Sequence, residues 1–139
     1  MTDPALVAKK LALIESCLSD LRRLANRDML QTDVREQRFV EHTLQVAIQA
    51  ALDVASHIVS DRRLGEPRTN RELFDLLLRD EWFDAALAGT LGNMAGFRNV
   101  LVHGYDDVDL GVVRDVLDHH LGDLETFVAA VRHRISEHQ

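Results

Sequence analysis

The chain has 139 residues, of which 46% are hydrophobic and 28% are charged, and its net charge is −7. This is the length of a single domain (1–139), and the composition excludes a disordered chain. Its acidity argues against broad coating of nucleic acid, although a local basic site remains possible. A lone cysteine, Cys17, excludes an internal disulfide and a cysteine-rich zinc module.

No apolar stretch approaches the ~20 residues that cross a bilayer. The sequence does not open with a basic segment followed by an apolar one, as a secretion signal would. We therefore expect a soluble, cytoplasmic protein with no membrane partner.

Seven glycines and two prolines leave few helix breakers, and the spacing of the apolar residues predicts helices without a strand. The predicted helices are Pro4 to Asn26, Thr32 to Ser60, Asn70 to Leu78, Asp84 to His103, and Leu110 to Ile135. Asp3 and Thr32 are the predicted caps of the first two helices, and Thr69 or Asn70 that of the third. The expected fold class is all-α, an antiparallel bundle of four long helices plus one short helix.

The fourth helix carries an arginine on its apolar side. At about 100° per residue, Arg98 falls near the middle of an apolar stripe. The stripe consists of Leu87, Leu91, Met94, Leu101 and Val102. A guanidinium is costly there unless it has a partner or a pocket. The sequence leaves open whether Arg98 is an ion-paired or snorkelling residue or part of a binding site.

The far side of the same helix is first smooth and then polar, with Gly92, Gly96, Asn99 and His103 in one row. This row predicts either tight packing within the monomer or a subunit interface with a polar site at one end. Asn99 and His103, at i and i+4, are close enough to hydrogen-bond. Arg98 and His103 lie about 140° apart, so a two-fold dimer that pairs fourth helices would bring two copies of each to a common axis.

Residues 98–105 read Arg-Asn-Val-Leu-Val-His-Gly-Tyr, an R-x4-H-x-Y pattern. The pattern resembles the signature of the HEPN superfamily, and specifically of HepT-like toxins encoded beside a minimal nucleotidyltransferase (MNT) antitoxin. The likeness includes residues 51–55, 70–74 and 94–97, and it covers the chain from about residue 5 to residue 130.

The resemblance implies a HEPN-like fold and a metal-independent endoribonuclease that acts as a homodimer, with Arg98 and His103 as catalytic residues. RNA suits these residues because its own 2′-hydroxyl can attack the adjacent phosphate. Histidine transfers protons near neutral pH, and the planar fork of arginine matches phosphate oxygens. RNA is the expected substrate, and we expect no DNA partner, no cofactor and no metal site.

Asn99, Asp53 and Tyr105 complete the predicted site. Asn99 either orients the imidazole or makes a structural helix contact. Asp53 either pairs with Arg98 or positions His103, or else it belongs to an exposed polar strip. The resemblance implies that Tyr105 accepts AMP from the MNT antitoxin, which itself needs ATP and Mg²⁺, and that the added charge switches the toxin off. The alternative for Tyr105 is an aromatic that packs on the fifth helix.

The acidic residues Asp106, Asp107 and Asp109 would repel RNA. The arginines that could compensate are Arg22, Arg23, Arg27, Arg62, Arg63, Arg68 and Arg71. The alternative function is a non-catalytic helical binding module that docks a nucleotidyltransferase and presents its substrate. The overall acidity favours the module, whereas Arg98 and His103 favour the enzyme.

Overall fold

A computed structural model describes residues 2–103 and 108–137, and within these ranges all regular secondary structure is helical. The helices are α1 (Pro4–Leu24), α2 (Val34–Asp61), α3 (Asn70–Arg79), α4 (Ala85–His103), α5 (Leu110–His119) and α6 (Leu121–Glu137), and a 3-10 turn (Arg27–Met29) joins α1 to α2. The all-α bundle predicted from the sequence is confirmed, with α1, α2, α4 and α6 as its long helices. Gly104, Tyr105, Asp106 and Asp107 lie outside the described residues.

Short polar side chains start the helices. Asp3 Oδ1 accepts hydrogen bonds from the amides of Ala5 and Leu6 at 3.0 and 3.2 Å, as predicted for α1. Thr69 Oγ1 caps α3 by accepting from the Glu72 amide. The cap predicted for α2 is wrong by one residue: Asp33, which accepts from the Arg35 amide at 2.9 Å, replaces Thr32. Thr32 instead belongs to the connector, because its amide donates to the Met29 carbonyl.

The single long fifth helix predicted from the sequence is wrong. His120, with φ −123° and ψ −1°, separates α5 from α6. Its Nδ1 lies 2.9 Å from Asp123 Oδ2, and the Asp123 amide donates to the His120 carbonyl at 3.2 Å. This local turn gives α6 a start of its own. Apolar periodicity missed the break because both segments bury one face, as a continuous helix would.

The core lies around α2, whose buried residues are on most of its sides. Ala47, Ala51 and Ala55 are at most 1% exposed, and such small side chains let neighbouring helices approach closely. The last turn of α4 lies beside the N-terminal half of α2, so these two helices run antiparallel. No helix among the described residues is long and apolar enough to cross a membrane.

Candidate active site

Arg98 lies on the core-facing side of α4, where the helical wheel places it. Its Nε is buried and has no hydrogen-bond partner, while its Nη1 donates to Asn99 Oδ1 at 3.2 Å. Within residues 2–103 and 108–137, no carboxylate lies at ion-pair distance from this guanidinium, so no ion pair with this part of the chain holds Arg98. A buried N–H without an acceptor costs about 1–3 kcal/mol, and a ligand that supplies the acceptor is one way to recover this cost.

His103 is the last residue of α4 and is exposed. It takes part in none of the hydrogen bonds or ion pairs formed in the described part of the chain. Five residues separate it from Arg98, which is a rise of about 7.5 Å and a rotation of about 140° on an α-helix. Within one chain, the side chains of Arg98 and His103 therefore do not meet at the same small group. The helical wheel drawn from the sequence gave the same separation.

Asn99 contacts Arg98 rather than the imidazole. Its amide oxygen accepts the Arg98 hydrogen bond, and the possible bond to His103 is not formed. Because Asn99 is neutral, this contact orients the guanidinium without cancelling its charge. The position of Asn99 thus supports Arg98 directly and His103 only by proximity.

Asp53 does not pair with Arg98, so that part of the prediction is wrong. Its carboxylate accepts from Lys10 Nζ at 3.0 Å and from Gln49 Nε2 at 2.8 Å. Lys10 belongs to α1, so Asp53 ties α2 to α1. The end of α4 instead lies beside residues 38–45 of α2, at least about 12 Å along the helix from Asp53.

The row of small and polar residues on α4 is divided into two parts. Gly92 is buried beneath Arg71 of α3: a Cβ added there would lie 3.1 Å from both Cγ and Nη1 of Arg71. Gly96, in contrast, has open space above it. Packing within the monomer therefore explains Gly92, while the face from Gly96 to His103 remains uncovered. The sequence could not show the Arg71 contact because it does not fix the register between α3 and α4.

The uncovered face of α4 has no negative charge. The 19 residues of this helix include no Asp or Glu, although the chain has 23 acidic residues. The exposed positions of the helix after its first turn are Gly89, Asn93, Gly96, Asn99, Val100 and His103. This face is consequently suited to contact either another copy of the helix or an anion.

A groove of about 300 Å³ runs beside the last turn of α4. It is lined by Arg38, Glu41, His42, Gln45, Leu101, Val102 and Val108. Polar groups of α2 thus lie next to the motif and could meet a ligand bound there.

Several of the charged residues that the sequence set for or against RNA binding have partners within the fold. Asp109 caps α5 by accepting from the Gly111 amide at 2.8 Å, so one of the three predicted repulsive carboxylates serves the fold. Four of the arginines considered for compensation are paired: Arg22 with Glu125, Arg23 with Asp20, Arg27 with Asp118, and Arg62 with Asp80. Arg63, Arg68 and Arg71 have no such partner among residues 2–103 and 108–137.

In the same part of the chain, no three His, Cys, Asp or Glu side chains are grouped so that they could hold a metal ion.

The sequence around this site has known relatives. Residues 14–131 match the family described as Ribonuclease HepT-like. The chain belongs to this family. It is 30% identical over 128 residues to the mRNA nuclease HepT of Shewanella oneidensis, a match that spans 91% of this chain and 96% of that protein. It is 34% identical over 109 residues to the tRNA nuclease HepT of Aphanizomenon flos-aquae, spanning 77% of this chain and 74% of that protein.

Solved structures agree with the family assignment. A tri-AMPylated HEPN toxin of Shewanella oneidensis in complex with its MNT antitoxin matches with a TM-score of 0.86 and 31% identity, over 95% of this chain and 98% of that chain. The Bacillus subtilis cytosolic protein YutE matches with a TM-score of 0.89 over 99% of this chain and 93% of that chain. At 16% identity, YutE supports the fold alone.

Proposed function

We propose that this chain is the ribonuclease toxin of a HEPN/MNT toxin–antitoxin pair and that it acts in the cytoplasm as a homodimeric, metal-independent endoribonuclease. The observation that carries the proposal is Arg98, a guanidinium with a buried, unsatisfied Nε and without a carboxylate partner among residues 2–103 and 108–137. It lies on a helix without acidic residues that ends in an exposed histidine, His103. The names of the relatives support the same reading.

The chemistry follows from the two residue types. His103 takes the proton from the ribose 2′-hydroxyl, whose oxygen then attacks the adjacent phosphorus. Arg98 stabilises the extra negative charge that develops on the phosphate oxygens. As the bond from phosphorus to the 5′-oxygen breaks, the partner subunit's histidine donates a proton to that oxygen. The products are a 2′,3′-cyclic phosphate and a free 5′-hydroxyl.

The dimer is required because one chain separates its two catalytic residues. Two copies that cross at the uncovered part of α4, around Gly96, would bring both pairs together. The exposed Val100, at 45% exposure, would be buried in such a contact. Light scattering should find a dimer at micromolar concentration, and a large side chain in Gly96→Leu should split it or abolish cleavage. A monomeric wild-type protein that cleaves RNA would contradict this assembly.

RNA cleavage by the purified protein in the presence of a chelator tests the enzyme. Wild type should cleave and His103→Ala should not, whereas His133→Ala, which alters an exposed histidine of α6, should retain full activity. Cleavage products should carry cyclic phosphate ends. If the wild type leaves RNA intact but binds the antitoxin, the chain is the non-catalytic binding module instead.

Neutralisation by AMP transfer to Tyr105 is the regulatory part of the proposal. The similar Shewanella oneidensis toxin is tri-AMPylated and complexed with an MNT antitoxin, which supports this expectation. Each AMP adds a phosphodiester charge two residues from His103, where it would repel an RNA phosphate. Co-expression with the antitoxin should add multiples of the AMP mass to wild type and none to Tyr105→Phe. Modified protein that still cleaves RNA at full rate would contradict the switch.

A further inference from the structure

A polar row along α2 leaves one amide side chain without a partner. Gln45, Gln49 and Asp53 follow one another at intervals of four residues, so they lie on one side of the helix. Gln49 donates to Asp53 Oδ1 at 2.8 Å, and Asp53 also accepts from Lys10. Gln45 is half-buried and makes no hydrogen bond within residues 2–103 and 108–137. Its N–H donors and its carbonyl acceptor therefore remain available to a ligand.

This amide lines the groove beside the last turn of α4. Gln45 and His42 contribute its polar groups from α2, while Leu101, Val102 and Val108 give it apolar surface. His42 is exposed and has no hydrogen-bond partner in the described part of the chain, and a neutral imidazole offers one donor and one acceptor. Apolar surface with a few polar groups is the usual composition of a site that binds a small molecule.

The lining of the groove suits an uncharged group better than a phosphate. Besides the imidazole of His42, the charged side chains among its described lining residues are Arg38 and Glu41. Arg38 Nη1 donates to Glu41 Oε2 at 3.1 Å, so that one positive and one negative charge meet in an ion pair. A planar, neutral ring with hydrogen-bonding edges fits these surroundings, and a nucleobase of RNA is such a ring.

The groove lies next to Arg98 and away from the dimer contact proposed at Gly96. Leu101 and Val102 are within about 60° of Arg98 around α4 and about one turn further along the helix. The same two residues are about 120–140° from Gly96, so a second copy that crosses α4 at Gly96 leaves the side with the groove open. A phosphate held by Arg98 joins two nucleotides, and the base of one of them is then beside the groove.

We propose that this groove binds the nucleobase on one side of the cleaved bond and that Gln45 hydrogen-bonds to the edge of that base. This inference rests on the proposed ribonuclease function and gives the enzyme a base preference. Single-stranded RNA is recognised through contacts of this kind with the faces and edges of its bases. A carboxamide pairs a donor with an acceptor, as adenine does at N6 and N7, so we expect adenine to be preferred over guanine.

The base preference is measured at the two nucleotides that flank the cut, by mapping the products from a randomised RNA oligonucleotide. At one of these positions wild type should favour adenine over guanine. Gln45→Leu should reduce the ratio of the two kcat/KM values about tenfold. Gln45→Glu should instead favour guanine, because a carboxylate only accepts hydrogen bonds and guanine offers neighbouring donors at N1 and N2.

The matched control is Gln37→Leu, which alters a half-buried glutamine of α2 that does not line the groove. This variant should keep the wild-type ratio. Because Gln45 has no hydrogen bond to lose in the described part of the chain, Gln45→Leu should also keep the wild-type melting temperature. A lower melting temperature together with an unchanged base ratio would assign Gln45 to the fold and overturn the inference.

The remaining outcomes separate this inference from the function on which it rests. If wild type cleaves RNA without a base preference, or if Gln45→Leu retains the preference, the groove does not recognise a base and this inference alone fails. If Gln45→Leu loses binding of the MNT antitoxin while the base ratio is unchanged, the groove binds the protein partner and the inference also fails. If wild type leaves the whole RNA pool intact, the ribonuclease function itself is wrong.

Discussion

Two groups of arginines in this molecule have opposite surroundings. Around Asp80, which follows α3, Arg62 and Arg134 meet one carboxylate, and the guanidinium of Arg134 lies 4.3 Å from the centre of the Trp82 ring. On α4, Arg98 is held by a neutral asparagine, as is Arg71 of α3 where it lies across that helix.

The difference indicates which arginines serve the fold and which remain available. A carboxylate partner lowers the energy of a guanidinium but also removes its net charge. An asparagine oxygen orients the same group and leaves its charge intact. We therefore expect the arginines of the Asp80 cluster (Asp80, Arg62, Arg134, Trp82) to determine stability, and Arg98, held by Asn99, to determine activity.

The largest expected effect is on activity, from Arg98→Gln. Loss of a group that stabilises the developing negative charge should lower kcat by about 10²–10³-fold. Stability should stay the same or rise, because the variant removes a buried N–H that has no acceptor. Cleavage rates and a urea titration measure the two effects. A large loss of stability would place Arg98 with the structural arginines.

The reverse is expected for Arg134→Gln. This change removes the contact with Trp82 and the hydrogen bonds to Asp80, and it should cost about 2 kcal/mol of unfolding free energy. The cleavage rate of the folded protein should match that of wild type, since Asp80 precedes the start of α4 and Arg98 lies 13 residues, about 20 Å, further along that helix. Reduced kcat in fully folded Arg134→Gln would break the division between the two groups.

A smaller effect is expected when a neutral partner is made acidic. Asn99→Asp places a carboxylate where Arg98 now meets an amide. Because this carboxylate would neutralise part of the positive charge that Arg98 offers to a phosphate, cleavage activity should drop about tenfold. Asn99→Gln is the matched neutral control and should retain more activity than Asn99→Asp. Equal rates for the two variants would show that the charge of this partner is irrelevant.

The smallest effect concerns acid stability. A hydrogen bond from Arg27 holds the pKa of Asp118 below its usual value. Burial raises the pKa of Asp80, but hydrogen bonds from Trp82 and Arg62 outweigh it, so that this pKa is also lowered. Both contributions are complete above the unfolded-state pKa of about 3.9 and are lost as pH falls through the folded-state values.

Urea titrations between about pH 5 and about pH 3 test this prediction. The free energy of unfolding of wild type should fall as the pH is lowered. Asp80→Asn and Asp118→Asn should each make this dependence of stability on pH less steep. Asp28→Asn, at an exposed carboxylate without an arginine partner in the described part of the chain, should leave it unchanged. An unaltered slope in both test variants would contradict the assigned pKa directions.

Local sequence was sufficient wherever neighbouring residues decide the outcome. The Asp3 cap, the Thr69 cap and the core-facing position of Arg98 follow from interactions or periodicity within about one helical turn. The motif from Arg98 to Tyr105 likewise indicated the family from contiguous residues. The roles of Arg98, His103 and Tyr105 remain proposals that the experiments above address.

Contacts between helices were decided only by the tertiary structure. Asp53 pairs with Lys10 instead of Arg98, Gly92 receives Arg71, and His120 divides the predicted last helix. Its second part, α6, contacts α1 through Arg132 and Glu15. Helical periodicity determines which residues share a face of one helix, but it does not determine how far one helix slides along its neighbour. Because a shift of one turn, about 5.4 Å, exchanges every partner across such a contact, only packing of the whole core selects among them.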